Sequence, residues 1–168
     1  QLRVATIARP DIYGRGIVDL YNKNLRINGG QLTPGSGQLS GFELTKTASG
    51  YSMSSTDLSH LVAFAPHVVV LAGTGEMVPE ALEKLESAML SISPYYIGTE
   101  GLRLTDLISY VANRNNKAVS KRLQVFAPNI RDDYYPALSQ RWNARFREVL
   151  PDLYGVANTY DAMYLLAY

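Results

Sequence analysis

Apolar and polar positions along the chain fall into blocks whose period switches between that of strands and that of helices. The stretch Pro66–Gly101 shows the pattern most fully. His67–Ala72 is a short apolar, β-branched block, as expected of a strand covered on both faces in a parallel sheet. Gly73-Thr74-Gly75-Glu76 breaks it. From Val78, the residues Leu82, Leu85 and Met89 recur at helical spacing, with Glu80 and Lys84 as an outward i,i+4 pair. After Ser93-Pro94, Tyr95–Gly98 starts a second strand and Thr99-Glu100-Gly101 turns out of it. The stretch predicts a β-α-β unit.

The same alternation runs on both sides. Val4–Ala8 predicts a first strand, and Asp11 is placed to cap a helix carrying Ile17, Leu20, Tyr21 and Leu25 on one face and ending at Gly29-Gly30. Gln31–Ser40 reads as an exposed loop, Phe42–Thr47 as an alternating strand and Ala48–Ser55 as a polar loop. Ser55 or Thr56 would cap a helix over Leu58, Leu61, Val62 and Phe64, which Pro66 stops. Beyond the central unit, Leu104, Leu107, Ile108 and Val111 mark a helix capped near Thr105, and Asn113–Lys121 reads as a basic loop. Leu123–Ala127 is a fifth strand. Asp132-Asp133 precedes a helix with Leu138, Trp142, Phe146 and Val149 on one face, closed by Pro151, and Asn158 or Thr159 starts a last helical segment. Strands alternating with helices predict an α/β fold: a doubly wound parallel five-stranded sheet of order 2-1-3-4-5, with helices on both faces.

Composition narrows the function. The 168 residues suffice for one ordinary domain, with 46% apolar and 18% charged residues. A net charge of +1 and no basic-aromatic interleaving argue against a nucleic acid or an anionic membrane surface as partner. No stretch has the apolar length of a membrane-spanning helix. Cysteine is absent, which excludes disulfides, thiolate metal sites and a cysteine nucleophile. The first residues enter a strand almost at once, without a signal-peptide pattern. The last ones, Tyr160–Tyr168, stop inside an amphipathic helical pattern, so both ends read as cut from a longer protein.

In a sheet of that order, four turns gather along the carboxyl edge: Arg9–Tyr13, Lys46–Ser49, Gly73–Glu76 and Thr99–Gly101. Their inventory is Tyr13, Thr74, Glu76 and Glu100, with backbone N–H groups freed by the glycines. Such a set suits a small polar ligand, particularly one with an ammonium group for a carboxylate to hold. Each residue also has a plainer reading. Tyr13 would pack over its helix, Thr74 and Glu76 would cap the following one, and Glu100 would be a solvated turn residue. Gly73-Thr74-Gly75 lacks the third glycine and the Lys-Ser/Thr pair of a nucleotide loop, so no cofactor is expected. His60 and His67 lack metal spacing, and no serine sits in a nucleophile elbow.

Four segments, taken in order, resemble the type I periplasmic solute-binding proteins, in the branch serving ABC transporters of branched-chain amino acids. They are Asp11-Ile12-Tyr13-Gly14-Arg15-Gly16, Val69-Val70-Leu71-Ala72-Gly73-Thr74-Gly75-Glu76, Tyr96-Ile97-Gly98-Thr99-Glu100-Gly101 and Asn158-Thr159-Tyr160-Asp161-Ala162. The resemblance implies two α/β lobes around a ligand cleft, with residues 1–126 as the second lobe, 127–133 as a hinge crossing and 134–168 as helices of the first lobe. It places ligand contacts at Tyr13, at Thr74 or Gly75 with Glu76 adjacent, and at Glu100, which would hold an amino group. It implies a non-enzymatic, extracytoplasmic receptor that binds an amino acid or similar small polar ligand and delivers it to a membrane permease. A sensor domain of the same fold is the alternative reading, and a small α/β enzyme using Glu76 and Glu100 as acid and base is a further one.

Overall fold

Five short apolar blocks form one sheet: β1 (Val4–Ala8), β2 (Leu39–Glu43), β3 (Val68–Ala72), β4 (Tyr95–Gly98) and β5 (Leu123–Val125). The computed structural model of the chain describes residues 1–88, 92–102, 105–126 and 135–147. The strand order is β2-β1-β3-β4-β5 and every neighbouring pair is parallel, which is the predicted order. Every residue of β1, and all of β3 but Val68, is buried, as strands covered on both faces require.

The chain divides into two compact units, Gln1–Phe126 and Ala127–Tyr168. In the first, the sheet separates two apolar clusters. Ala5, Ile7, Val69, Leu71 and Tyr96 face Leu61 of α2 (Ser55–Phe64), Leu82 and Leu85 around α3 (Lys84–Ala88), and Leu107 of α4 (Thr105–Ala112). On the other face, Val4 and Val70 meet Leu32, Leu39 and the half-buried Tyr21 of α1 (Ile12–Asn24). Alternate strand residues thus feed opposite helical layers. In the second unit, α6 (Tyr135–Phe146) is described, with Trp142 and Phe146 ring centroids 4.3 Å apart. Leu104, Met89, Val149, Pro151, Asn158 and Thr159, and the 127–133 segment, lie outside the described residues.

Several boundaries differ from the sequence reading. Helix α1 stops at Asn24, with Leu25 as its cap, because Arg26–Ile27 and Gly30–Gln31 pair as a hairpin through Asn28 and Gly29, both at positive φ. Leu20, predicted on one face with Ile17, Tyr21 and Leu25, is 61% exposed. The supposed exposed loop Gln31–Ser40 buries Leu32 and Leu39, and Leu39 opens β2. The predicted strand Phe42–Thr47 splits. Its end pairs as Thr45–Thr47 with Gly50–Ser52, in a hairpin that occupies the predicted loop Ala48–Ser55. Ser54 caps α2, its hydroxyl accepting from Asp57 N–H, one residue before the expected caps. Val78–Glu83 is π-helical rather than α-helical, and its Glu80–Lys84 pair turns toward Ser52 and Met53 instead of outward. Asn113–Lys121 contains a 3₁₀ turn and α5 (Lys117–Ser120), whose Val119 is buried, and Ile108 of α4 is 64% exposed.

The amino end of the sheet is fastened by a polar latch. The fully buried Tyr96 hydroxyl donates to Glu86 Oε1 at 2.6 Å, and Arg122 reaches the two Glu86 oxygens at 3.2 and 2.8 Å. Burial first, and then the Glu86 carboxylate, push the Tyr96 phenol far above its ordinary value, so it stays protonated as a donor. Tyr96→Phe is expected to lower stability by about 1 kcal/mol in urea unfolding, since Glu86 keeps Arg122. An unchanged midpoint would show that the hydroxyl contributes nothing.

Candidate functional site

The strand ends are level at the carboxyl edge: Ala8 stands opposite both Glu43 and Ala72, and Leu71 opposite Gly98. Three turns leave from there. Arg9 N–H donates to Ala72 O at 2.9 Å, which holds the first turn against the third. Asp11, in extended conformation, caps α1 by accepting from Gly14 N–H at 2.8 Å. Gly14 is there for space: a Cβ would come within 2.4 Å of Arg9 O and 2.8 Å of Ala72 O.

Arg9 is the centre of the edge. Its Nε donates to Asp11 Oδ2 at 2.6 Å and a terminal nitrogen donates to Thr74 Oγ1 at 2.7 Å, with Glu76 Oε1 3.6 Å away. Thr74 in turn donates its amide to Glu76 Oε1 at 2.8 Å and its hydroxyl to Glu76 Oε2. The guanidinium carbon lies 6.0 Å from the Tyr13 ring centroid and 5.9 Å from that of Tyr51. Burial opposes both charges. Even so, hydrogen bonds from Gly14 and Arg9 hold the Asp11 carboxyl below its ordinary range, and Asp11 and Glu76 raise Arg9.

Tyr13 and Glu100 form the other half. Glu100 opens a single 3₁₀ turn, Glu100–Leu102, and is half-buried. The Tyr13 hydroxyl accepts from Gly101 N–H at 3.4 Å. Burial, followed by the hydrogen-bonded Glu100 carboxylate, raises the Tyr13 phenol above its ordinary value, against the opposing effect of Thr99 and Gly101. Gly101 joins the halves, since a Cβ there would meet Gly73 O at 2.6 Å, Thr74 Cγ2 at 3.0 Å and the Tyr13 hydroxyl at 3.3 Å. Thr99 Oγ1 adds a bond to Gly73 O at 3.2 Å. Tyr13, Thr74, Gly75, Glu76 and Glu100 therefore share one edge.

Their capacities differ. Both Glu76 oxygens are taken up by Thr74, and Arg9 stands beside them, so Glu76 organises the turn. Glu100 has no ion-pair partner among the described residues. Sequence reading passed over Arg9 as a turn residue and Tyr51 as part of a loop. It also missed the ion pair of Arg15 with Glu43 at the end of β2. The available signal for Arg9 was its place directly after β1, two residues before a capping aspartate. His67 is an exposed residue whose Nδ1 accepts from Arg3 N–H at 3.1 Å. Among the described residues no group of three metal-ligating side chains occurs. A groove of about 440 Å³ lined by Leu58, Pro79, Glu83, Lys84, Ser87 and Ala88 contains none of the edge residues.

No protein-family model matches the chain, and no curated protein matches it. Among solved structures it is similar to an ABC transporter substrate-binding protein from Desulfitobacterium hafniense, with a TM-score of 0.55 and 21% identity, over 99% of this chain and 43% of that chain. The likeness is one of fold: the five-stranded parallel sheet matches a periplasmic-binding-protein lobe. The chain spans less than half the length of that protein.

Proposed function

We propose that the chain is the ligand-binding lobe of an extracytoplasmic solute receptor for an ABC transporter, in the branched-chain amino acid branch of the type I binding proteins. Residues 1–126 are its second lobe, 127–133 the hinge crossing and 134–168 helices of the first. The observation that carries this reading is the carboxyl edge itself. There Glu100, without an ion-pair partner among the described residues, stands beside the Tyr13 hydroxyl. That pair suits the ammonium of an amino acid, with Glu100 taking the charge and Tyr13 a hydrogen bond. In this reading Thr74 and Glu76, bonded to each other across Gly75, supply the remaining contacts together with the Gly75 backbone. The membrane permease is the macromolecular partner. The fold likeness to a substrate-binding protein supports the same reading. The commitment of Glu76 to Thr74 and Arg9 speaks against its use as a general acid or base.

Glu100→Gln tests it. Titration calorimetry with free L-amino acids is expected to show at least about tenfold weaker binding in the variant, near 1.4 kcal/mol, with an unchanged melting curve. Equal affinity would move the ammonium site elsewhere. Retained affinity with loss of a turnover seen in the parent chain would favour the enzyme reading.

A further inference from the structure

The one Asn-Gly step in the sequence, Asn28-Gly29, falls where the backbone turns between Arg26–Ile27 and Gly30–Gln31. Both residues stand at positive φ, 51° and 81°, the geometry of a two-residue hairpin loop and the reason these residue types suit it. Both are exposed, and the proposed receptor role uses neither. Around Gly29 the space is open, since a Cβ there would meet nothing within 4 Å. Polar side chains on either side are tied down, Asn24 Nδ2 to Leu20 O at 2.8 Å and Gln31 Nε2 to Lys23 O at 3.0 Å. Asn28 has no such tie among the described residues.

The amide carbon of an asparagine is an electrophile that the next backbone nitrogen reaches by closing a five-membered ring. A side chain on the next residue obstructs that approach, and glycine has none. The closed turn delays the step, because ring closure needs the backbone to leave it. Each strand of this hairpin is only two residues long, and an isolated two-stranded ribbon is marginal in water. Such a segment opens locally at far less cost than the whole fold.

We propose that Asn28 is a site of self-modification, at which the folded chain turns asparagine into a mixture of aspartate and isoaspartate without an enzyme. Hydroxide takes the Gly29 amide proton, and the nitrogen forms a bond to Asn28 Cγ. The bond from Cγ to the side-chain nitrogen breaks, and ammonia leaves with a proton from water, which restores the hydroxide. Water then opens the cyclic imide. Attack at Cγ gives aspartate, and attack at the Asn28 backbone carbonyl carbon gives isoaspartate, whose chain runs through the side chain. Water is the one co-reactant, and nothing is oxidised or reduced. The product carries one more negative charge, which takes the net charge of +1 to zero.

Isoaspartate also lengthens the loop by a methylene, which the Ile27–Gly30 pairing cannot keep in a two-residue turn. The same hairpin leads into Leu32, which is 5% exposed among Val4, Leu39 and Val70 and whose N–H donates to Leu25 O at 3.0 Å. Modification therefore acts on the join between the end of α1 and the sheet.

The test is incubation of the folded full chain at pH 6 and pH 9, followed by tryptic digestion and mass spectrometry of the peptide spanning residues 27–46. That peptide is expected to exchange an amide for a carboxylate, in two chromatographic forms and faster at pH 9, while peptides carrying the other asparagines stay unchanged. Gly29→Ala is expected to slow the conversion at least about tenfold, or about 1.4 kcal/mol of barrier. Alanine is strained at that φ, so Asn28→Gly is read alongside. It fits the turn and lacks the amide, and it should abolish the signal with an unchanged melting curve. No conversion in the folded chain, conversion only in urea, or conversion spread evenly over the asparagines overturns the inference.

Discussion

Gly14→Ala is expected to destabilise the chain by about 3 kcal/mol, because overpacking that must push backbone exceeds the usual cost of an added methyl group. The new Cβ would sit 2.4 Å from Arg9 O, 2.7 Å from Arg9 N and 2.8 Å from Ala72 O, and none of these is a flexible side-chain end. Relief requires α1 to retreat from β1 and β3. That movement breaks the Asp11 cap at Gly14 N–H and slackens the Arg9–Ala72 bond. For a chain of this size the melting temperature should fall by about 6–12 °C. Gly16, two residues on in the same helix, is the control. A Cβ there meets nothing within 4 Å, so Gly16→Ala should stabilise by about 0.5–1 kcal/mol through helix propensity alone. Opposite signs at the two glycines show that close approach, and not glycine in a helix as such, sets the effect. Equal small effects would mean that α1 is not seated on the edge as described.

The legibility of the fold followed the length and continuity of each apolar block. Val4–Ala8 and Val68–Ala72 are too short for helices and too uniformly apolar for a half-exposed strand, which left a central parallel strand. The order of blocks then fixed the topology. Where the reading failed, tertiary contacts overrode local composition. Leu32 and Leu39 lie among glycine, serine and proline, yet they plug the α1 face of the sheet. Lys46 and Thr47 look like the tail of an alternating strand, but Leu44 turns inward to the core and the chain reverses through Ala48 and Ser49. The π-helical turn Val78–Glu83, with Pro79 in its first turn, is a backbone adjustment that side-chain periodicity does not encode.

At the edge, position was legible and partnership was not. Tyr13, Thr74, Gly75, Glu76 and Glu100 could be gathered because each follows the end of a strand, and parallel topology brings those ends together. Whether a carboxylate there is free depends on which cation reaches it, and Arg9 lies 65 residues from Thr74 in the chain. Tyr51 was hidden for a related reason: the hairpin that presents it has little apolar signature of its own.

Arg9→Met is expected to cost about 2 kcal/mol at pH 7, the order of a partly buried charged hydrogen-bonding group lost while its partners keep other donors. Asp11 retains the Gly14 N–H, and Glu76 retains the Thr74 amide and hydroxyl, which keeps the penalty below that of a stranded buried charge. The pH dependence identifies the electrostatic part. Burial tends to raise the Asp11 carboxyl, but Gly14 and Arg9 outweigh it and hold the folded value below the ordinary one. A group depressed on folding contributes stability above its unfolded value and loses it as pH falls through the folded value. The gap between parent and variant should therefore be widest above about pH 4 and should shrink as Asp11 protonates below it. Urea unfolding at pH 7 and pH 3 measures both. In a double-mutant cycle with Glu76→Gln, the two changes should fall short of additivity by at least about 0.5 kcal/mol, since Arg9 and Glu76 share Thr74. A gap that stays constant with pH, with additive effects, would assign the contribution of Arg9 to its contacts with the Tyr13 and Tyr51 rings. The edge would then be held together by contact area, and its charges would be left for the ligand.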